Sequence, residues 1–111
     1  MGKRHYLGSF ELMVLMALIR LGDDAYGVPI TREIEAHLDR EVAIGSVYAT
    51  LARLEERRLV SSALGEPTPE RGGRAKRYFR ITAKGVRDVR DTQRVLVRLW
   101  KGVPELKGGS A

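Results

Sequence analysis

Gly45-Ser46-Val47-Tyr48-Ala49-Thr50-Leu51-Ala52-Arg53-Leu54-Glu55 is the stretch on which the fold turns. Val47, Leu51 and Leu54 recur at helical spacing, which puts them on one stripe of an α-helix predicted over 45–58. Ser46, Ala49, Thr50, Arg53 and Arg57 are expected on the opposite side, where the two arginines either meet another surface or pair with Glu56 or other exposed carboxylates. A solvated helix face normally carries Glu and Lys. The first two turns here carry small or hydroxyl side chains, followed by Arg53, so the helix is shaped to lie close against another surface. A major groove of duplex DNA admits one α-helix and is read by such a face.

Upstream, Tyr26-Gly27-Val28-Pro29 opens a second helix, with Pro29 in the first turn where its missing N–H costs nothing. Ile30, Ile34 and Leu38 form its inward stripe, and Arg32, Glu33, Glu35 and Asp39 face out. A short turn near 39–44 joins the two as a helix-turn-helix. Before them, a helix is predicted from Ser9, as N-cap, to Leu21, with Gly22 as its stop. It is apolar nearly all round (Leu12, Met13, Val14, Leu15, Met16, Leu18, Ile19). A single domain of 111 residues has little material to cover such a helix, which points to a second subunit, with Leu12 and Met16 at the interface. The unbroken apolar run from Leu12 to Ile19 is too short to cross a bilayer, so no membrane partner is expected.

Downstream, Leu59 to Leu64 reads as a strand, Gly65-Glu66-Pro67-Thr68-Pro69-Glu70-Arg71-Gly72-Gly73 as an irregular tip, and Lys76 to Ile81 as a second strand. In that strand Arg77, Phe79 and Ile81 share one face and Lys76, Tyr78 and Arg80 the other. The hairpin makes a wing over 65–77 that presents Arg71, Gly72, Gly73, Arg74, Lys76 and Arg77. The last helix starts at Thr82 and stops by Pro104. Val86, Val89, Gln93, Leu96, Trp100 and Val103 follow a heptad spacing with one polar member, a dimerisation seam. The expected architecture is mainly α with a small β-hairpin (α+β). It comprises a winged helix-turn-helix domain over 1–81, a dimerisation helix over 82–104 and a disordered tail over 105–111.

Charge narrows the partner. The chain carries +6 overall, but residues 71–101 hold eleven Lys or Arg against Asp88 and Asp91, a local +9, while the remainder carries −3. A cationic block of this kind suits an anionic polymer, nucleic acid before membrane. A solvated helix face is the plainer reading of Arg87, Arg90, Arg94 and Arg98. The chain has no cysteine, which excludes disulfides and thiolate metal sites and suits a reducing compartment; a cytoplasmic protein is expected. His5 and His37 lack partners for a metal, adjacent Glu55 and Glu56 diverge on a helix, and no nucleophile–base pair stands out. Neither an enzyme nor a cofactor is expected. The sequence also has no Asn, and its only Gln is Gln93 in the last helix. The bidentate amide contact to adenine is therefore closed to helix 45–58, and recognition must lean on arginine, hydroxyl and methyl contacts, phosphates and DNA shape.

The stretch from Gly45 to Glu55, followed by Leu59-Val60, resembles the recognition-helix signature of the PadR family of transcriptional regulators. Gly72-Gly73-Arg74-Ala75-Lys76-Arg77-Tyr78-Phe79-Arg80-Ile81-Thr82, with Lys84-Gly85 after it, resembles that family's wing, and Tyr26-Gly27 also matches. The resemblance covers roughly residues 7–100. It implies a homodimeric repressor that binds double-stranded DNA, with Tyr48 on a phosphate and the wing on a groove or the backbone. A single C-terminal helix is similar to the short members of the family, some of which take flat aromatic compounds at the dimer interface. That makes Trp100 and Met16 candidates for a small hydrophobic or aromatic effector, beside the plainer reading of core packing across a dimer. A departure is the long wing tip, whose Glu66 and Glu70 would repel phosphate. The competing reading, from another class, is a winged-helix module whose last helix docks a different protein.

Overall fold

The computed structural model describes residues 6–66 and 75–106. Helix α1 spans Ser9–Leu21, α2 spans Gly27–Leu38 and α3 spans Ile44–Glu56. Strands β1 (Val60–Leu64) and β2 (Arg77–Ile81) form an antiparallel pair, with Val60 opposite Ile81 and Leu64 opposite Arg77. Helix α4 spans Ala83–Trp100, and a short 3₁₀ turn follows at Pro104–Leu106. The architecture is the expected mainly helical one with a two-stranded wing.

The core is built where the stripes of α1, α2 and α3 meet. Leu15, Ile30, Leu51, Leu54 and Leu59 are fully buried, each stabilising the fold by about 1.5–3 kcal/mol. Phe79 of β2 and Val89 of α4 close this core from the side of the hairpin. The hairpin is anchored through its backbone as well, because the Phe79 amide donates to the Ala25 carbonyl at 2.8 Å.

Local chemistry sets the ends of the elements. The N-cap of α1 is Gly8, one residue before the expected Ser9, and Glu11 accepts a hydrogen bond from the Gly8 amide at 3.1 Å. Gly22 ends α1 at φ +60, a conformation open to glycine at little cost. Between α2 and α3, Asp39 takes φ +60 and the Glu35 carboxylate accepts from the Val42 amide at 2.8 Å, which fixes the turn. Helix α3 stops at Glu56 rather than 58 because Arg58 adopts φ +64. That left-handed residue costs about 1–2 kcal/mol. It swings the chain so that Leu59 is buried and the Thr82 hydroxyl can donate to the Arg58 carbonyl at 2.8 Å. Thr82 then caps α4 by accepting from the Gly85 amide at 3.0 Å, as its position predicts.

The structure corrects the reading of α4. Its inward stripe is Gly85, Val89 and Thr92, all buried within the subunit. Val89, expected in a seam between subunits, is only 9% exposed and belongs to the chain's own core. The helix ends at Trp100, so Val103 lies beyond it, after Gly102 at φ +76. Glu105 and Leu106, expected in a disordered tail, form part of the 3₁₀ turn, and 107–111 lie outside the described residues. Past Thr92 the stripe runs off the core: Leu96, Leu99 and Trp100 are exposed. The radius of gyration, 16.0 Å, exceeds the roughly 13 Å of a compact chain near this length, as a projecting helix requires.

Candidate nucleic-acid interface

Helix α3 buries Val47, Thr50, Leu51 and Leu54 and leaves Gly45, Ser46, Tyr48, Ala49, Ala52, Arg53 and Glu56 exposed. Ser46, Ala49 and Arg53 thus stand where the sequence puts them. Thr50 does not: it is 2% exposed. It follows Val47 by three residues and precedes Leu54 by four, so it lies within the apolar stripe rather than opposite it. Its hydroxyl accepts from the Arg53 guanidinium at 3.1 Å, so it orients Arg53 instead of offering a surface contact. Ala52, named in the sequence only as part of the motif, is outward and small, and enlarges the close-fitting face.

Arg57 takes the ion-paired one of its two expected settings. Its guanidinium donates to Glu11 of α1 at 3.1 Å, and only about a third of its side chain is exposed. The pair links positions 46 apart in sequence, beyond the reach of any local pattern. Arg57 is a brace between α1 and the end of α3.

Tyr48 projects from α3 toward the start of α2. It is 45% exposed, yet a Cβ on Gly27 would collide with its hydroxyl, so the ring lies directly over that glycine. Phe79 supports the ring from the hairpin, with centroids 6.4 Å apart. The first turn of α2 holds no acidic residue, and the side chain of its N-cap residue does not cap the helix. The Tyr48 hydroxyl thus lies beside the positive end of the α2 dipole.

At the base of the wing, the Lys76 ammonium sits 4.3 Å from the ring centroid of Tyr26, the N-cap residue of α2. Tyr26 in turn meets Tyr78 edge-on at 5.4 Å. Arg77 is exposed and donates to Ser62 at 3.0 Å, while Ser62 donates to Glu55 of α3 at 2.8 Å. Arg80, on the far side of the strand, pairs with Asp23. Arg71, Gly72, Gly73 and Arg74 lie outside the described residues. The structure therefore gathers Ser46, Tyr48, Ala49, Arg53, Lys76 and Arg77 around the α2–α3 unit and withdraws Thr50 and Arg57.

The residues named for an interface or a ligand separate into two grooves. Leu12 and Met16, with Met13, Ala17, Ile34 and Leu38, line an apolar groove of about 350 Å³ between α1 and α2. Gln93, Leu96, Val97, Trp100 and Lys101 line one of about 330 Å³ on α4. Within one subunit Trp100 and Met16 thus belong to different surfaces. Val86 is half-buried near the start of α4. Among the described residues no cluster of metal ligands occurs, and no helix is long and apolar enough to cross a membrane.

A helix-turn-helix with a two-stranded wing, a small-residue outer face on its second helix and cationic groups at the wing base defines a winged-helix DNA-binding protein. Residues 14–91 match the transcriptional regulator PadR-like family, and the chain belongs to that family. Its members are transcriptional regulators, not enzymes. The fold is similar to a transcriptional regulator from Clostridium thermocellum, with 27% identity over 82% of this chain and 85% of that one and a TM-score of 0.68. It is equally similar to a PadR family transcriptional regulator from Eggerthella lenta, with 26% identity over 85% and 80% and a TM-score of 0.66. A PadR family regulator from Clostridium difficile shares the fold at 18% identity, with 94% of this chain covering 100% of that one and a TM-score of 0.68. No curated protein matches the sequence.

Proposed function

We infer that this protein is a cytoplasmic repressor that binds a pseudo-palindromic operator as a homodimer. Each subunit would lay α3 in a major groove and bring the wing, residues 65–77, to the adjoining backbone or minor groove. The observation that carries this reading is the outer face of α3. Ser46, Ala49 and Ala52 leave room for close approach, Arg53 reaches a guanine edge or a phosphate, and a fully buried inner stripe holds the helix rigid. Two such helices related by a two-fold axis read half-sites about 10 bp apart or a multiple of that. Occupation of a promoter then blocks transcription.

The dimer is supported by the apolar surface that one subunit leaves uncovered. Met16 and Ile19 of α1 and Leu96, Val97, Leu99 and Trp100 of α4 are all exposed. Clusters of exposed apolar side chains of this kind mark interaction surfaces. The domain division follows from the same reading: a DNA-binding head up to Ile81 and a dimerisation helix after it. An aromatic effector would sit against Trp100 at that interface, with Met16 reaching it only from the partner.

Gel shifts with the DNA upstream of the protein's own coding region test the operator reading. The expected result is a shifted band at low salt, with affinity falling by about 10³–10⁵ between 50 and 200 mM salt if six to ten phosphates are contacted. Absence of any shift at low salt refutes it. Sedimentation tests the dimer: a stable monomer, with the α4 face open, would favour a winged-helix module that docks a different protein.

A further inference from the structure

We propose that Tyr26 is a positioning residue for DNA binding: its ring seats the Lys76 ammonium and so fixes the base of the wing against the reading head. The proposal rests on the DNA-binding reading above. A two-stranded hairpin with strands of five residues is marginal alone and owes its angle to what it packs on. Here the packing is aromatic. Tyr78 closes edge-on upon Tyr26 at 5.4 Å, and Gly65, across the hairpin, has room for no side chain because a Cβ there would sit 2.6 Å from the Tyr78 ring. The Gly65 amide donates to the Lys76 carbonyl at 2.7 Å, which fixes the backbone from which the lysine springs.

Lys76 is half-buried, and its ammonium lies on the ring face 4.3 Å from the centroid. A lysine on a free wing would sample many rotamers and lose that freedom on meeting a phosphate. The ring removes much of this loss beforehand, because the quadrupole of Tyr26 attracts the cation. Tyr26 is also the N-cap of α2, so the seat is built on the same helix start that Tyr48 of α3 overlies. The ring thus ties the wing charge to the α2–α3 unit, and Lys76 acts as a preset contact to the DNA backbone.

A double-mutant cycle on random-sequence duplex DNA tests this, using the full-length chain and fluorescence anisotropy at several salt concentrations. Tyr26→Leu and Lys76→Gln are each expected to lower affinity about three- to tenfold and to flatten the salt slope by about 0.9. If Tyr26 acts through Lys76, the double variant binds no more weakly than Lys76→Gln alone, within about twofold. Lys76→Arg keeps binding near wild type, since a guanidinium also stacks on the ring. Tyr26→Phe, which keeps the ring, retains the salt slope and guards against loss of fold in the leucine variant. Losses that multiply in the double variant overturn the proposal alone. A wild-type chain that binds no duplex at low salt overturns it together with the DNA reading beneath it.

Discussion

The two halves of α4 carry one stripe and meet two different fates. Gly85, Val89 and Thr92 in the first half are buried against the head. Leu96, Leu99 and Trp100 continue the stripe in the second half, where Leu99 is 69% and Trp100 54% exposed. Nothing in the spacing changes between them. The difference is that the head ends and the helix does not. A heptad pattern therefore reports that a face will be covered, and is silent on whether the same chain or another covers it.

This contrast can be broken by experiment, beginning where the effect is largest. Val89→Asp places a charge in the covered half with no partner and should cost more than about 3 kcal/mol, read as a collapse of the urea midpoint. A loss within 1 kcal/mol, on the order of a surface change, would mean that α4 is not docked on the head. Gly85→Ala should cost about 1–3 kcal/mol by overpacking. The new Cβ would collide with the Leu59 carbonyl and stand 2.7 Å from Ile81, neither of which can turn away. Gly27→Ala makes a useful control, because there the obstacle is the movable Tyr48 hydroxyl, so stability should change less while DNA affinity falls.

In the overhanging half, Trp100→Glu should leave helicity unchanged and weaken self-association at least tenfold, about 1.4 kcal/mol, by sedimentation. A subunit that unfolds instead would show that the second half is covered at home after all. The smallest effect belongs to the head alone. Glu11→Gln removes the charge opposite Arg57 and should cost about 0.2–1 kcal/mol, equally at low and high protein concentration.

The order of elements was legible because each one carries its own period and its own punctuation. Helix α1 was read to within a residue at its start, where Gly8 rather than Ser9 is the cap, and the turn residues bracketed both strands within a position. Thr50 was misplaced for a physical reason. A threonine is small and polar enough to suit either face, and only its place between Val47 and Leu54 sends it inward. For Arg57 the sequence left DNA and a carboxylate partner equally open, and could not name Glu11 because that partner lies on another helix. Tyr26 and Lys76 illustrate the same limit from the other side. Each was visible as a residue of the motif, but their contact joins the start of α2 to the far strand of the wing, and only tertiary structure brings them together.

One hydrogen bond in the buried region bears on how the subunit holds together. The Leu7 amide donates to the Thr92 hydroxyl at 3.1 Å, across 85 positions of sequence. It closes a loop around nearly the whole chain, whose entropic cost rises only slowly with length, about 0.6 kcal/mol for each doubling. Both partners are buried, so neither can be released to water without opening the layer between the first helix and the last. The segment before α1 and the helix that projects from the head are thereby latched to each other.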